Sequence, residues 1–342
     1  MYLFNMPSEI DLARERLRKL YKTDPRAWFV AYSGGKDSTL LLQLICEVDE
    51  QEGKKKKIFV SFNDTCMEID DKLERIKRDF ERIERVCNFT PVLIRRPTKR
   101  SFWALVIGEG YPAPRFNMRY CTKELKVKPS LKKERELADQ YDGLIIVTGV
   151  RKEESARRNK RLTDLKAPDA LKSMRKKKPI DEFAPIANVK VCELWEYLKA
   201  LKTFAWGGSL KELQQLYNSE DSSLRDGCWA CTVCSEKSFN RKQTTDAQDK
   251  VRLFLRAMNE DLTQRCLLCS QRQIEAYERG QAAGRFTLEA RKRILAFILE
   301  VQRESGETLI STEEIEYIRE YWKNKNEEEE LRLSYRKYGK SE

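Results

Sequence analysis

Trp28-Phe29-Val30-Ala31-Tyr32-Ser33-Gly34-Gly35-Lys36-Asp37-Ser38-Thr39-Leu40-Leu41-Leu42 runs from a short apolar segment through a glycine-rich loop into an apolar helical pattern. That order predicts strand, loop and helix. Two adjacent glycines let backbone amides approach a ligand closely, and the start of the following helix adds partial positive charge. Ser33 and Ser38 add hydroxyl donors and Lys36 a cation, so the stretch is suited to holding a polyphosphate. It lacks the Gly-x4-Gly-Lys-Ser/Thr spacing of the kinase and GTPase phosphate loop. Asp37 is a candidate ligand for Mg²⁺, a cation that bridges carboxylate and phosphate oxygens.

Working outward, the same alternation repeats. Residues 58–62 form an apolar run followed by a helical pattern over 69–87, and residues 92–94 are followed by a helical pattern at 101–107. A helix beginning near 129 leads to Leu144-Ile145-Ile146-Val147-Thr148-Gly149, and residues 180–186 precede a helix at 191–201. Strands separated by helices of this length predict an α/β fold with a doubly wound, mostly parallel sheet. Upstream, Leu12, Leu17 and Leu20 give residues 1–25 one apolar face, that of a packing helix. The expected division is an α/β domain over 1–203 and a mainly helical, cysteine-containing region over 204–342. In the latter we expect a helix at 287–303 and a hairpin-like segment at 311–322.

The chain has 342 residues, with 67 Lys and Arg against 55 Asp and Glu, a formal net charge of +12. That balance favours a polyanionic partner, and the dense Lys and Arg at 151–178 supply phosphate contacts for one. No stretch reaches the ~20 apolar residues of a membrane helix, so a soluble, cytoplasmic protein is expected. Histidine is absent altogether. Ser-His-Asp and Cys-His nucleophiles, histidine-ligated zinc and histidine proton transfer are thereby excluded.

Three further segments lie at predicted strand ends, where open α/β sheets bind ligands. These are Asn63-Asp64-Thr65, Arg119-Tyr120-Cys121-Thr122-Lys123-Glu124-Leu125-Lys126 leading to Pro129, and Thr148-Gly149-Val150-Arg151-Lys152-Glu153-Glu154-Ser155-Ala156-Arg157. Asp64 is a candidate for a metal or a nucleotide hydroxyl; Arg151, Arg157 and Arg158 are candidates to clamp phosphates. With the Ser33–Ser38 loop, these segments resemble the phosphoadenylyl-sulfate reductase branch of the PP-loop ATP pyrophosphatases. The resemblance implies a PP-loop (HUP-like) fold, cleavage of ATP between its α and β phosphates, and adenylation of a substrate. Ser33, Gly34, Gly35, Lys36, Asp37, Ser38, Gly149, Arg151 and Arg157 would then bind the nucleotide, with Lys36, Asp37, Asp64 and Arg151 acting in catalysis.

Gly227-Cys228-Trp229-Ala230-Cys231-Thr232-Val233-Cys234 spaces cysteines so that successive thiolates can face one cavity. With Cys121 they make four sulfur donors, suited to a 4Fe–4S cluster or a structural zinc. Cys266 and Cys269 form a second Cys-x2-Cys that competes with Cys234 for the fourth position. Cys46, Cys87 and Cys192 fall in helical patterns and read as small core residues. The run 227–233, together with Trp206-Gly207-Gly208, Leu216-Tyr217 and residues 309–322, resembles the DndC-type sulfurtransferases of DNA phosphorothioation. That resemblance implies an iron–sulfur cluster, ATP with Mg²⁺, and replacement of a DNA phosphate oxygen by sulfur. The implied partners are DNA, a cysteine desulfurase and other phosphorothioation proteins. Two alternatives stay open: a reductase-like enzyme acting on a small nucleotide sulfate, and a non-catalytic, nucleotide-gated DNA-binding subunit.

Overall fold

The computed structural model describes residues 7–115, 118–154, 172–173, 179–217, 227–233, 244–260 and 285–324. The basic stretch 155–171, Arg157 and Arg158, and Cys234, Cys266 and Cys269 lie outside them. The chain forms two compact units. The first comprises residues 1–63, 70–94 and 128–226, and the second 64–69, 95–127 and 227–342.

The first unit is built on β1 (Ala27–Ala31), β2 (Ile58–Asp64), β3 (Thr90–Arg95), β4 (Leu144–Val147), β5 (Lys172–Ser173) and β6 (Ile180–Phe183), in the order β3-β2-β1-β4-β6-β5. β1 pairs in parallel with β2 and β4, and β4 with β6; the short β5 is antiparallel to β6. Trp28 and Val30 pack on one face with α1 (Glu9–Thr23), α2 (Lys36–Gln51) and α5 (Val191–Ala200). Ala27 and Phe29 pack on the other with Leu144, Ile146 and the α4 (Lys128–Gln140) residues Leu137 and Ala138. Burial on both faces is why these strands read as continuous apolar runs without alternation. The fold is therefore the doubly wound, mostly parallel α/β sheet expected.

α1 starts at a capping box in which Ser8 and Asp11 satisfy each other's backbone donors, and it buries Ile10, Ala13, Leu17 and Tyr21 at helical spacing. α3 (Asp70–Arg82) continues into a wider, π-type turn at Ile83–Cys87. Strand order reverses at β1 and β4: β2 and β3 lie to one side, β4 and β6 to the other. In such sheets the crevice beyond the carboxyl ends of the two diverging strands is where ligands bind. Here those ends lead into residues 33–38 and 148–151.

The second unit is helical. α7 (Asp246–Glu260), α8 (Leu288–Ser305) and a helix over 312–324, α9, surround Trp103, Leu105, Val106 and Ile107. The short α6 (Leu210–Gln214) belongs to the first unit. α9 corrects the hairpin expected at 311–322. Ser311 and Glu314 cap its first turn reciprocally, Ile318 is fully buried, and Trp322 Nε1 donates to the Ile107 carbonyl at 3.0 Å. The apolar positions 315, 318 and 322 keep helical spacing, and tertiary burial holds it. No helix among the described residues is long and apolar enough to cross a membrane.

Candidate functional site

The loop after β1 has its own internal bonding. Ser33 N–H donates to Ser38 Oγ at 3.2 Å, and the Ser38 hydroxyl donates to the Gly35 carbonyl at 2.9 Å. Gly35 caps the N-terminus of α2 without a side-chain acceptor of its own, which leaves the first amides of the helix to acceptors from outside it, as an anion site requires. Gly34 adopts φ +74°, and a Cβ there would stand 2.7 Å from both Arg75 Nη2 and Ile76 Cδ1. The conformation favours glycine, and any side chain there would have to displace the ends of Arg75 and Ile76.

Behind the loop is a buried polar chain. Arg75 Nη2 donates to the Gly34 carbonyl at 2.9 Å and lies 4.0 Å, through Nη1, from Asp79. Asp79 also accepts from Tyr32 Oη at 2.7 Å and from Trp206 Nε1 at 3.3 Å. Burial pushes the Asp79 carboxyl up, and the Tyr32 hydrogen bond offsets part of that rise. The Tyr32 phenol is held well above its ordinary value by burial and by the Asp79 charge. Arg75 and Asp79 were not singled out by sequence. They fall on the apolar-periodic α3, and nothing local distinguishes them from its surface charges.

From the β4 side, Gly149 brings its backbone against the loop: a Cβ there would meet Asp37 O at 3.0 Å and Ser38 N at 3.3 Å. Arg151, 3% exposed, pairs through Nε with Asp37, contacts Glu153 at 3.2 Å and donates to the Val189 carbonyl at 3.1 Å. Lys36 Nζ lies 3.8 Å from the other Asp37 oxygen. Eight of the nine proposed nucleotide residues, Ser33 to Ser38 with Gly149 and Arg151, thus come together; the ninth, Arg157, lies outside the described residues. The Asp37 carboxylate, expected on Mg²⁺, is paired with two cations, Arg151 and Lys36, as it stands.

Tyr217 completes the loop's surroundings. Its hydroxyl accepts from Lys36 N–H at 3.0 Å, its ring lies 4.9 Å beneath the Lys36 ammonium, and Trp195 packs edge-on against it at 5.4 Å. In the sequence it stood out by resemblance, with no role attached.

Asp64 is fully buried. It accepts from Cys66 N–H at 2.8 Å and from Arg95 Nε at 2.5 Å, which makes a side-chain-closed turn in which Cys66 takes φ +59°. Cys66 itself is exposed.

In the second unit the 228–231 turn docks by backbone. Cys228 bridges Glu68, and Trp229 N–H donates to the Met67 carbonyl at 3.0 Å. Thr232 Oγ1 donates to the Pro114 carbonyl at 2.6 Å. Cys228 and Cys231 hydrogen-bond through sulfur, which with burial raises the Cys228 thiol well above its ordinary value. Burial and then the neighbouring Cys231 raise Cys121. Three of the four expected sulfur donors are therefore neighbours. As they stand, no three Cys, Asp or Glu side chains among the described residues are spaced to hold a metal ion. The donor chemistry fits a soft metal or cluster, and Cys234 is outside the described residues. Cys46 and Cys87 are buried as expected, whereas Cys192 is exposed: it lies on the solvent side of α5, whose buried face is Leu194, Trp195 and Leu198.

The sequence pattern of the phosphoadenosine phosphosulfate reductase domain matches residues 27–234, from β1 through the loop to the cysteine turn and more than half of the chain. The chain belongs to this family. Within the reductase-domain family its loop, β4 end and cysteine turn are the parts that carry polar chemistry. Among solved structures, the chain is similar to phosphoadenylyl-sulfate reductase from Candida auris in its phosphate complex, at 17% identity and TM-score 0.42, over 65% of this chain and 90% of that one. It is also similar to the U34-tRNA thiolase NcsA from Methanococcus maripaludis with its 4Fe–4S cluster, at 12% identity and TM-score 0.38, over 88% and 82%. A third is NAD+ synthetase from Burkholderia pseudomallei, at 12% and 0.39, over 88% and 91%. No curated protein matches the chain.

Proposed function

We propose that this reductase-domain protein is an ATP-dependent sulfurtransferase that adenylates a DNA backbone phosphate for sulfur insertion. The observation that supports it is the cradle at the β1/β4 switch point: Gly34 locked by Arg75, Gly149 drawn against Asp37 and Ser38, and the amides that open α2. In this reading a DNA phosphate oxygen attacks the α-phosphorus of ATP, the α–β bond breaks and pyrophosphate leaves. Loop amides and Lys36 stabilise the charge that develops on it, which requires positioning and electrostatics more than an acid or base. The outer sulfur of a persulfide then attacks the activated DNA phosphorus and AMP departs. A second thiol attacks the inner sulfur, leaving as a disulfide with it and freeing the phosphorothioate, whereas sulfide would need no such thiol.

Cys121, Cys228 and Cys231, with Cys234 or a cysteine of the 266–269 pair, would hold a 4Fe–4S cluster or zinc. A cluster would supply sulfur or redox chemistry, and zinc would be structural. A cysteine desulfurase is the proposed sulfur source, and the net charge of +12 suits DNA as the acceptor.

The test measures pyrophosphate release from ATP with and without DNA, then phosphorothioate linkages in that DNA by mass spectrometry after adding desulfurase and cysteine. DNA-stimulated release with phosphorothioate product supports the proposal. Sulfite formed from phosphoadenylyl sulfate would transfer the site to the reductase reading that the family name favours. ATP binding without turnover would leave a nucleotide-gated DNA binder.

A further inference from the structure

Cys46 and Cys87 take no part in the site described above. Cys46 lies in α2, ten residues beyond Lys36, and Cys87 ends the wide turn that extends α3, twelve residues beyond Arg75. Their sulfurs are 3.4 Å apart, and both side chains are buried. Two thiols at that separation need an approach of just over an ångström to reach bonding distance of about 2.05 Å. They also share an opening. A pocket of about 300 Å³ is lined by both cysteines together with Glu47, Asp49, Glu50 and Lys54.

From this geometry we infer that Cys46 and Cys87 are a redox-active dithiol that closes to an intramolecular disulfide by exchange with a small disulfide. Cys87 is the attacking sulfur. It ends a turn beside the exposed Val86, whereas Cys46 lies inside a helix, and a hydrogen bond between the two sulfurs with its proton on Cys46 lowers the Cys87 thiol while burial raises Cys46. The Cys87 thiolate attacks one sulfur of the reagent, expelling the other half as a thiolate. Cys46, giving up its proton to solvent or to that thiolate, then attacks the mixed disulfide at Cys87 and expels the second half. The two protein thiols are oxidised, and one disulfide is reduced to two thiols.

The pocket's charges select the reagent. Among the lining residues three carboxylates, Glu47, Asp49 and Glu50, face one lysine, Lys54. Arg14 pairs with Glu47 at 3.0 Å, Lys54 with Glu50 at 2.6 Å, and Asp49 takes a hydrogen bond from the Tyr21 hydroxyl at 2.7 Å, so the acidic lining favours a cationic disulfide over an anionic one. Closure would tie α2, whose first turn carries the phosphate loop, to the end of α3, which supplies the arginine gripping that loop.

The test treats the reduced full-length protein under native conditions with cystamine or with glutathione disulfide, followed by acid quenching, alkylation and peptide mass spectrometry. The expected product is a peptide linking Cys46 to Cys87, formed at least tenfold faster with cystamine and reversed by dithiothreitol. The oxidised protein should also unfold at higher urea than the reduced protein. Cys87→Ser should abolish the link; Cys46→Ser, which alters a tightly packed helix, serves as a second variant. The proposal is overturned if both cysteines stay alkylatable after the exposed Cys66 and Cys192 have reacted, if each stops at a mixed disulfide, or if glutathione disulfide reacts as fast as cystamine.

Discussion

The Lys36 backbone N–H donates to the Tyr217 hydroxyl at 3.0 Å, so a phenol oxygen occupies one of the amides at the head of α2 that a phosphate oxygen would use. A ligand taking that amide must displace the hydroxyl or share it. Tyr217→Phe keeps the ring beneath Lys36 and against Trp195 but removes the competing acceptor. A net hydrogen bond of this kind is worth about 1 kcal/mol, so ATP should bind the variant roughly fivefold more tightly. Isothermal titration of both proteins with a non-hydrolysable ATP analogue measures this. Weaker binding by the variant would mean that the hydroxyl contacts the nucleotide instead.

Gly34 and Gly306 both sit at φ +74°, but a Cβ at Gly306 has nothing within 4 Å while one at Gly34 meets Arg75 and Ile76 at 2.7 Å. The left-handed conformation costs an alanine about 1–2 kcal/mol at either position, and overpacking adds about 1–3 kcal/mol at Gly34 alone. Gly34→Ala should therefore lose about 2 kcal/mol more than Gly306→Ala in urea unfolding. It should also lower pyrophosphate release at least tenfold through the displaced Arg75, while Gly306→Ala leaves release unchanged. Equal losses of stability would remove Arg75 from its role as the loop's clamp.

Local chemistry explains which parts of the sequence could be read. Strand, loop and helix over 28–42 follow from contiguous residues with the right periodicity and turn types. So does the alternation through β4 and α5. The Arg75 grip on Gly34 spans 41 positions and the Tyr217 contact spans 181, and neither leaves a periodic or spacing signal. The segment 101–107 read as one more helix of the alternation, yet Trp103 Nε1 bonds the Leu309 carbonyl, tying it to the second unit. At 311–322, helical spacing and an end cap were both present but short. Cys192 was misplaced because Cys in a helical pattern does not reveal which face it occupies.

Tyr21 gives a pH prediction whose sign is fixed. Burial, then its hydrogen bond to Asp49, raises the Tyr21 phenol to about 12, against about 10 in an unfolded chain. Below pH 10 both states keep the proton and the group contributes no pH dependence. Between pH 10 and 12 the unfolded chain releases the proton and the folded one retains it, so stability falls as pH rises. The loss should approach about 2 kcal/mol by pH 12, judged as the difference between wild type and Tyr21→Phe, since other groups also titrate there. Parallel urea melts of both proteins at pH 9, 10 and 11 measure it; curves that stay parallel would mean that the phenol titrates at its ordinary value.

Metal content separates the cysteines by location. The 228–231 turn is anchored through Trp229 N–H on Met67 and Thr232 Oγ1 on Pro114, contacts that do not involve sulfur, so the scaffold should survive loss of a thiol. Cys121→Ala and Cys231→Ala should each lower bound metal to less than half of wild type after anaerobic purification, with the far-ultraviolet circular dichroism unchanged. Cys192→Ala, on the exposed side of α5, should leave metal content as it was. About four iron atoms per wild-type chain would indicate the cluster, and a single zinc would give the same cysteines a structural metal and take redox chemistry away from them. Metal that survives both substitutions would place the ligands elsewhere and reduce the Cys121, Cys228 and Cys231 group to packed thiols.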